Sequence, residues 1–205
     1  MARTERGLDR LVNFSDATVA IAITILILPL VDLAGDIGDQ HFGEFFAANV
    51  GSFVAFVVTF AVIGRFWVIH HRVFELVRDY SPGLVWANML WLASIVFLPF
   101  AANAVSTRES VDGSFDAAYI GTMIVTTTAM LIIDLTLRRE PALLVDGAVG
   151  AIDPSRSISV LVALLVAGLL AFLVPAIGML WVLLLFAAPL VARALRALVP
   201  SIHRA

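Results

Sequence analysis

The chain has 205 residues, 61% of them apolar and 14% charged, at a mean hydropathy of +1.00. Soluble domains carry roughly 45–50% apolar and about 25% charged residues, so the excess must face lipid, and a water-soluble globular domain is excluded. The absence of cysteine excludes disulfides, thiolate metal sites, iron-sulfur clusters and cysteine nucleophiles, and a net charge of −3 argues against a nucleic-acid partner.

A spanning helix needs about 20 mostly apolar residues. Four uncharged runs each supply one: Ala17 to Val31, Phe45 to Gly64, Tyr80 to Thr107, and Ala117 to Ile133. A fifth run, Ser157 to Ala192, would be about 54 Å long as one helix, too long for a single crossing. Pro175 and Gly178 near its middle predict a helical hairpin turning over Leu173 to Gly178. The expected fold is therefore an all-α integral membrane protein of one domain with six spans, near 12–33, 45–70, 83–106, 116–137, 156–174 and 177–198. The first apolar run starts too far along, and lacks a small-residue cleavage site, to be expected as a leader peptide.

All thirteen basic residues are arginine. Arg3, Arg6 and Arg10 precede the first span, and Arg65, Arg72 and Arg78 flank the second connection. Arg138, Arg139 and Arg156 lie between spans four and five, and Arg193, Arg196 and Arg204 follow span six. Only Arg108 falls on the other side, so the excess of basic residues on cytoplasmic flanks predicts that both termini are cytoplasmic. The opposite loops hold Asp32, Asp36, Asp39, Glu44, Glu109, Asp112 and Asp116, a solvated acidic surface with weak attraction for cations.

The first run is short enough that its span must recruit Asp16, which places a carboxylate within the inner boundary of the bilayer. Such a group is costly there and marks either a helix cap or a functional site. At about 100° per residue, Phe14, Ala17, Thr18, Thr24, Ile25 and Leu28 fall within roughly 60° of Ile21, whereas Asp16 points about 140° away and Ser15 also faces rearward. His70, His71 and Asn88 are expected at the same depth, so a hydrogen-bonded network between helices can form behind the Ile21 stripe. Interfacial snorkelling of the histidines and ordinary lipid contact of the stripe are the bland alternatives. Asp134 reads as an interfacial charge, and Thr126, Thr127 and Thr128 as packing residues. Phosphate loops, zinc-protease and hydrolase motifs, and the Thr-Val-Gly-Tyr-Gly potassium filter are all missing from the sequence, so no enzyme activity and no cofactor are expected.

The segment from Arg10 through Phe14-Ser15-Asp16 to Ile21, Thr24, Leu28 and Pro29 resembles the Arg-x-x-x-Phe-Ser-Asp signature and first helix of the transmembrane-protein-175 family of lysosomal and bacterial potassium channels. Trp67, His70, His71 and Phe74, then Asn88, Leu90, Pro99 and Phe100, extend the resemblance across about the first half of the chain. It implies a homotetramer in a bacterial inner membrane, six helices per subunit, with the first helix lining a central pore for permeant potassium ions and other monovalent cations. Ile21 would be the hydrophobic constriction, Thr24 a position linked to potassium preference, and Leu28, with Ile25 beside it, a further apolar ring. The polar cluster behind would comprise Arg10, Ser15, Asp16, a second-span histidine and Asn88, next to Phe14 of the signature. A potassium-preferring, proton-permeable leak channel is the function so implied. The competing readings are a proton-coupled secondary transporter and a noncatalytic membrane assembly protein; no internal repeat of the kind that transporters use is visible.

Overall fold

The computed structural model describes residues 5–35, 37–107, 113–174 and 176–185. It is all-helical apart from one isolated bridge between Val77 and Leu144. Among the described residues seven α-helices follow one another: α1 (Glu5–Ile25), α2 (Leu28–Ala34), α3 (Phe42–Ala48), α4 (Val50–Phe74), α5 (Pro82–Ser106), α6 (Ser114–Arg139) and α7 (Pro154–Leu173). Among the described residues, five stretches are long and apolar enough to cross a membrane: Arg6–Ala34, Val50–Phe74, Pro82–Ser106, Ser114–Arg139 and Ala148–Leu173.

The boundaries follow from local chemistry. Ser81 caps α5 by accepting a hydrogen bond from the Leu84 amide, and Asp153 caps α7 by accepting one from the Ser155 amide. Each cap is followed by a proline at the first helical position, where its missing N–H costs nothing. Arg138 and Arg139 close α6, their charge complementing the exposed carbonyls of its last turn.

The first span departs from the expected single helix. Pro29 lacks the N–H that would bond to the Ile25 carbonyl, and its ring crowds that same group. The helix stops at Ile25, turns through Leu26 and Ile27, and restarts as α2. The second span, expected near 45–70, is α4 over Val50–Phe74, with Arg65 inside it nine residues before its end. At the far end, α7 stops at Leu173, and a 3-10 helix over Gly178–Leu183 packs back on α6 and α7. The Trp181 indole N–H donates to the Val174 carbonyl at 3.3 Å across this turn. Pro175 and most of the expected sixth span, from 186 onward, lie outside the described residues.

α5 and α6 form the central pair, with α7 along the far side of α6 and α1 and α4 against α5. Trp91, Ile95 and Leu98 of α5 and Tyr119, Ile120, Met123 and Ile133 of α6 are fully buried. Ala87, Ala101 and Ala102 are also buried on α5, and small residues of this kind let membrane helices approach closely. At the basic end, the α4–α5 turn is joined to the segment after α6. The Arg78 amide donates to the Leu143 carbonyl at 2.8 Å, the Val145 amide to the Leu76 carbonyl at 2.9 Å, and the Arg78 guanidinium to Asp146 at 3.0 Å.

The base of α1 rests on this platform at Gly7, where any Cβ would collide with the Tyr80 phenol. Gly7→Val should therefore lower stability by about 1–2 kcal/mol through overpacking. Thermal unfolding in detergent measures this, and Tyr80→Ala in the same chain should restore most of the loss.

Candidate functional site

The first helix has two chemically distinct sides. Ser15, Val19, Ala22, Leu26 and Leu30 are buried at helical spacing and seat it against α5 and α4. The opposite side carries Phe14, Ile21, Ile25 and Leu28, with exposures of 56%, 59%, 44% and 51% within the single chain. Thr24 lies on this exposed side and donates its hydroxyl to the Ile21 carbonyl at 2.8 Å, which leaves its oxygen able to accept.

The buried side is held by a directional chain of hydrogen bonds. The His70 Nε2–H donates to Asn88 Oδ1 at 2.7 Å, Asn88 Nδ2 donates to Ser15 Oγ at 2.8 Å, and Ser15 Oγ donates to the Leu11 carbonyl at 2.8 Å. Because the Asn88 amide nitrogen is spent on Ser15, its oxygen faces the imidazole, and this fixes the proton on Nε2. All three side chains are fully buried, and the imidazole is sandwiched between Trp91 and Phe74 at centroid distances of 4.0 and 4.2 Å. One chain thereby ties α1, α5 and α4 at a single depth.

Asp16 makes a separate link. Its Oδ1 accepts the Trp67 indole N–H at 2.8 Å and neither histidine. It lies well inside α1, so the alternative role as a helix cap does not hold. Adjacent residues of a helix diverge by about 100°, so Ser15 and Asp16 address different neighbours. For the same reason His71 parts from His70: it stacks on Trp67 at 5.2 Å and pairs with Glu75 at 3.3 Å.

Arg10, expected within the polar cluster, is exposed and makes none of these bonds. Five residues before Ser15, it points about 140° away from that side chain and close to the Ile21 direction. Trp67 should matter as a donor: Trp67→Phe keeps the ring but strands Asp16, lowering stability by about 1–2 kcal/mol. A denaturant titration of the detergent-solubilised protein reads that shift.

Several of these groups had escaped the sequence reading. Trp67, marked there only as part of the resemblance, is the partner of Asp16, and Trp91 shelters His70. Asp134, read as interfacial, is buried and accepts the Ser157 hydroxyl at 2.6 Å, joining α6 to α7. The spacing of Trp67 and His71, one turn apart, was the available signal for the first of these. The second and third depend on helix rotations that spacing does not give.

Comparison with known proteins places the chain. Residues 10–99 match the family described as endosomal/lysosomal potassium channel TMEM175. A potassium channel from Streptomyces collinus is 38% identical over 91 residues, covering 44% of each chain. The human endosomal/lysosomal proton channel TMEM175 is 28% identical over 104 residues, 50% of this chain and 20% of that one. The chain thus matches about half or less of the length of these curated relatives. The crystal structure of a lysosomal potassium-selective channel TMEM175 homolog from Chamaesiphon minutus has the same fold, with a TM-score of 0.62 at 21% identity, covering 89% of this chain and 98% of that one. The matched residues, less than half of the chain, run from Arg10 at the start of the signature, through Ser15, His70 and Asn88, to Pro99 of α5, and over this stretch the chain is similar to the TMEM175 family.

Proposed function

We propose that this protein is a potassium-preferring cation channel in which four copies surround one axis and each contributes the exposed side of α1 to the pore. The observation that carries this reading is the division of α1: one side is sealed into its own subunit by Ser15, Val19, Ala22 and Leu26, while Phe14, Ile21, Ile25 and Leu28 stay exposed among the described residues. Similarity to the potassium-channel family over residues 10–99, a stretch that contains most of this helix, supports it further.

In this arrangement four Ile21 side chains form the narrowest ring. An apolar constriction of this kind expels water, so a cation that must keep most of its hydration shell is stopped until the ring widens. Thr24, one turn beyond, offers hydroxyl oxygens to a partly dehydrated cation, and Leu28 forms a second apolar ring. Without a carbonyl filter, preference for potassium over sodium is modest and protons also pass. The cluster of Ser15, Asn88, His70, Asp16 and Trp67 holds each pore helix at a set rotation. The basic end of the bundle faces the cytoplasm of a bacterial cell, with both chain termini on that side.

Reversal potentials of the reconstituted protein under potassium, sodium and proton gradients test the proposal. A channel gives a reversal potential that follows the potassium gradient most strongly and shifts with the sodium and proton gradients independently, each according to its permeability. Coupled transport gives a fixed dependence on both gradients, an assembly protein gives no current, and either result sinks the reading.

A further inference from the structure

The break in the first span faces a second proline. A small open cleft lies between the α1–α2 junction, the start of α4 and the upper part of α5; Pro29, Ser52, Ala55, Pro99, Ala102 and Asn103 contribute to its lining. Both prolines deprive a carbonyl one turn back of its helical donor: Ile25 for Pro29, and Ile95 for Pro99. The backbone around the first break is only partly repaired. The Ile27 amide reaches the Thr24 carbonyl at 3.3 Å, and the Leu30 and Val31 amides both converge on the Ile27 carbonyl at 3.0 Å. On the opposite wall, Asn103 Oδ1 is buried and has no hydrogen-bond partner. A buried acceptor left dry costs about 1–3 kcal/mol. A bound water removes that cost wherever a site is polar and large enough to admit it. Asn103 Oδ1, Ser52 and Ser106 are the polar side chains that such a water would find in this lining.

We propose that this cleft is a water-binding site and that its water makes the Leu26–Ile27 break a hydrated hinge. Water donates to Asn103 Oδ1 and lies against Leu26, Pro29 and Leu30, which line the same cleft on both sides of the break, so backbone groups bared as the break opens meet water rather than hydrocarbon. Below the hinge, α1 is held by the Ser15–Asn88 bond; above it, only α2 (Leu28–Ala34) moves. If the channel reading holds, Ile21 sits on the held part and Leu28 on the moving part, so the two apolar rings respond independently. The hinge itself does not depend on that reading.

Hydrogen exchange of the full chain in lipid nanodiscs tests it without any flux measurement. Amides of residues 27, 28, 30 and 31 should exchange at least roughly tenfold faster than those of 19–24, and Ala102→Leu, which fills the cleft from α5, should remove most of that difference. Ordinary fraying of a helix end would be insensitive to a side chain on another helix. Asn103→Leu, nearly isosteric, asks the same question by removing the acceptor, and remains available where Ala102→Leu does not fold. Exchange at 27, 28, 30 and 31 as slow as at 19–24 in the unaltered protein, or fast exchange that survives whichever cleft variants fold, overturns the proposal.

Discussion

Ile21→Asn should raise potassium flux through the reconstituted protein by roughly tenfold or more, the change produced by lowering a barrier by about 1.4 kcal/mol. An isoleucine ring resists wetting because its surface offers water no hydrogen bonds, whereas an asparagine amide of similar size holds water in the same space. The effect must be positional. Val57→Asn, on the exposed side of α4, places the same amide on an apolar surface that the proposal directs at lipid, and should leave flux at its basal level. Measurement of both variants in liposomes loaded with a potassium-sensitive dye separates a gate from a general loosening of the bundle. Unchanged or reduced flux in folded Ile21→Asn protein contradicts the gate.

Asn88→Ala should be the most damaging single change in the polar chain. Asn88 is its only member bonded on both sides by side chains, to His70 and to Ser15. Truncation strands the His70 Nε2–H, in a residue 1% exposed between two aromatic rings. A stranded buried donor costs about 1–3 kcal/mol and the void adds to it, so a total of roughly 2–4 kcal/mol is expected. Ser15→Ala should cost less: it strands one Asn88 Nδ2–H but keeps the His70–Asn88 bond and leaves a smaller void. Unfolding curves in detergent compare the two, and the yield of the proposed tetramer should fall in the same order. A loss for Asn88→Ala below that for Ser15→Ala would mean that the chain does not fix α1.

The helices of the first four spans were legible because charges bound each apolar run and the arginines alternate with the crossings. The two sides of α1 were legible too: helical periodicity alone separates Ile21 from Ser15, and the former is exposed while the latter is buried. What periodicity could not supply was the rotation of α4 and α5 relative to α1. Asp16 and Ser15 looked like one cluster with His70 and His71, yet a 100° divergence on each helix splits them into a Trp67 link and an Asn88 link. Arg10 was drawn into that cluster by the resemblance, against its own helical angle. The break at Pro29 was visible as a proline but hidden by the apolar run around it, because hydropathy reads through a kink. Asp134 looked interfacial because the uncharged run stops just before it. Only the continuation of α6 to Arg139 and the arrival of Ser157 from α7 show it as an internal tie.

The central claim, that the exposed sides of several first helices meet at one axis, is open to a direct chemical measurement because the chain contains no cysteine. Ile21→Cys introduces a single thiol on that side, and Leu169→Cys introduces one on the exposed side of α7. Under mild oxidation in membranes, the account predicts disulfide-linked dimers from Ile21→Cys and monomers from Leu169→Cys. Monomers alone from Ile21→Cys, with the thiol shown to be reduced and reactive, would contradict it.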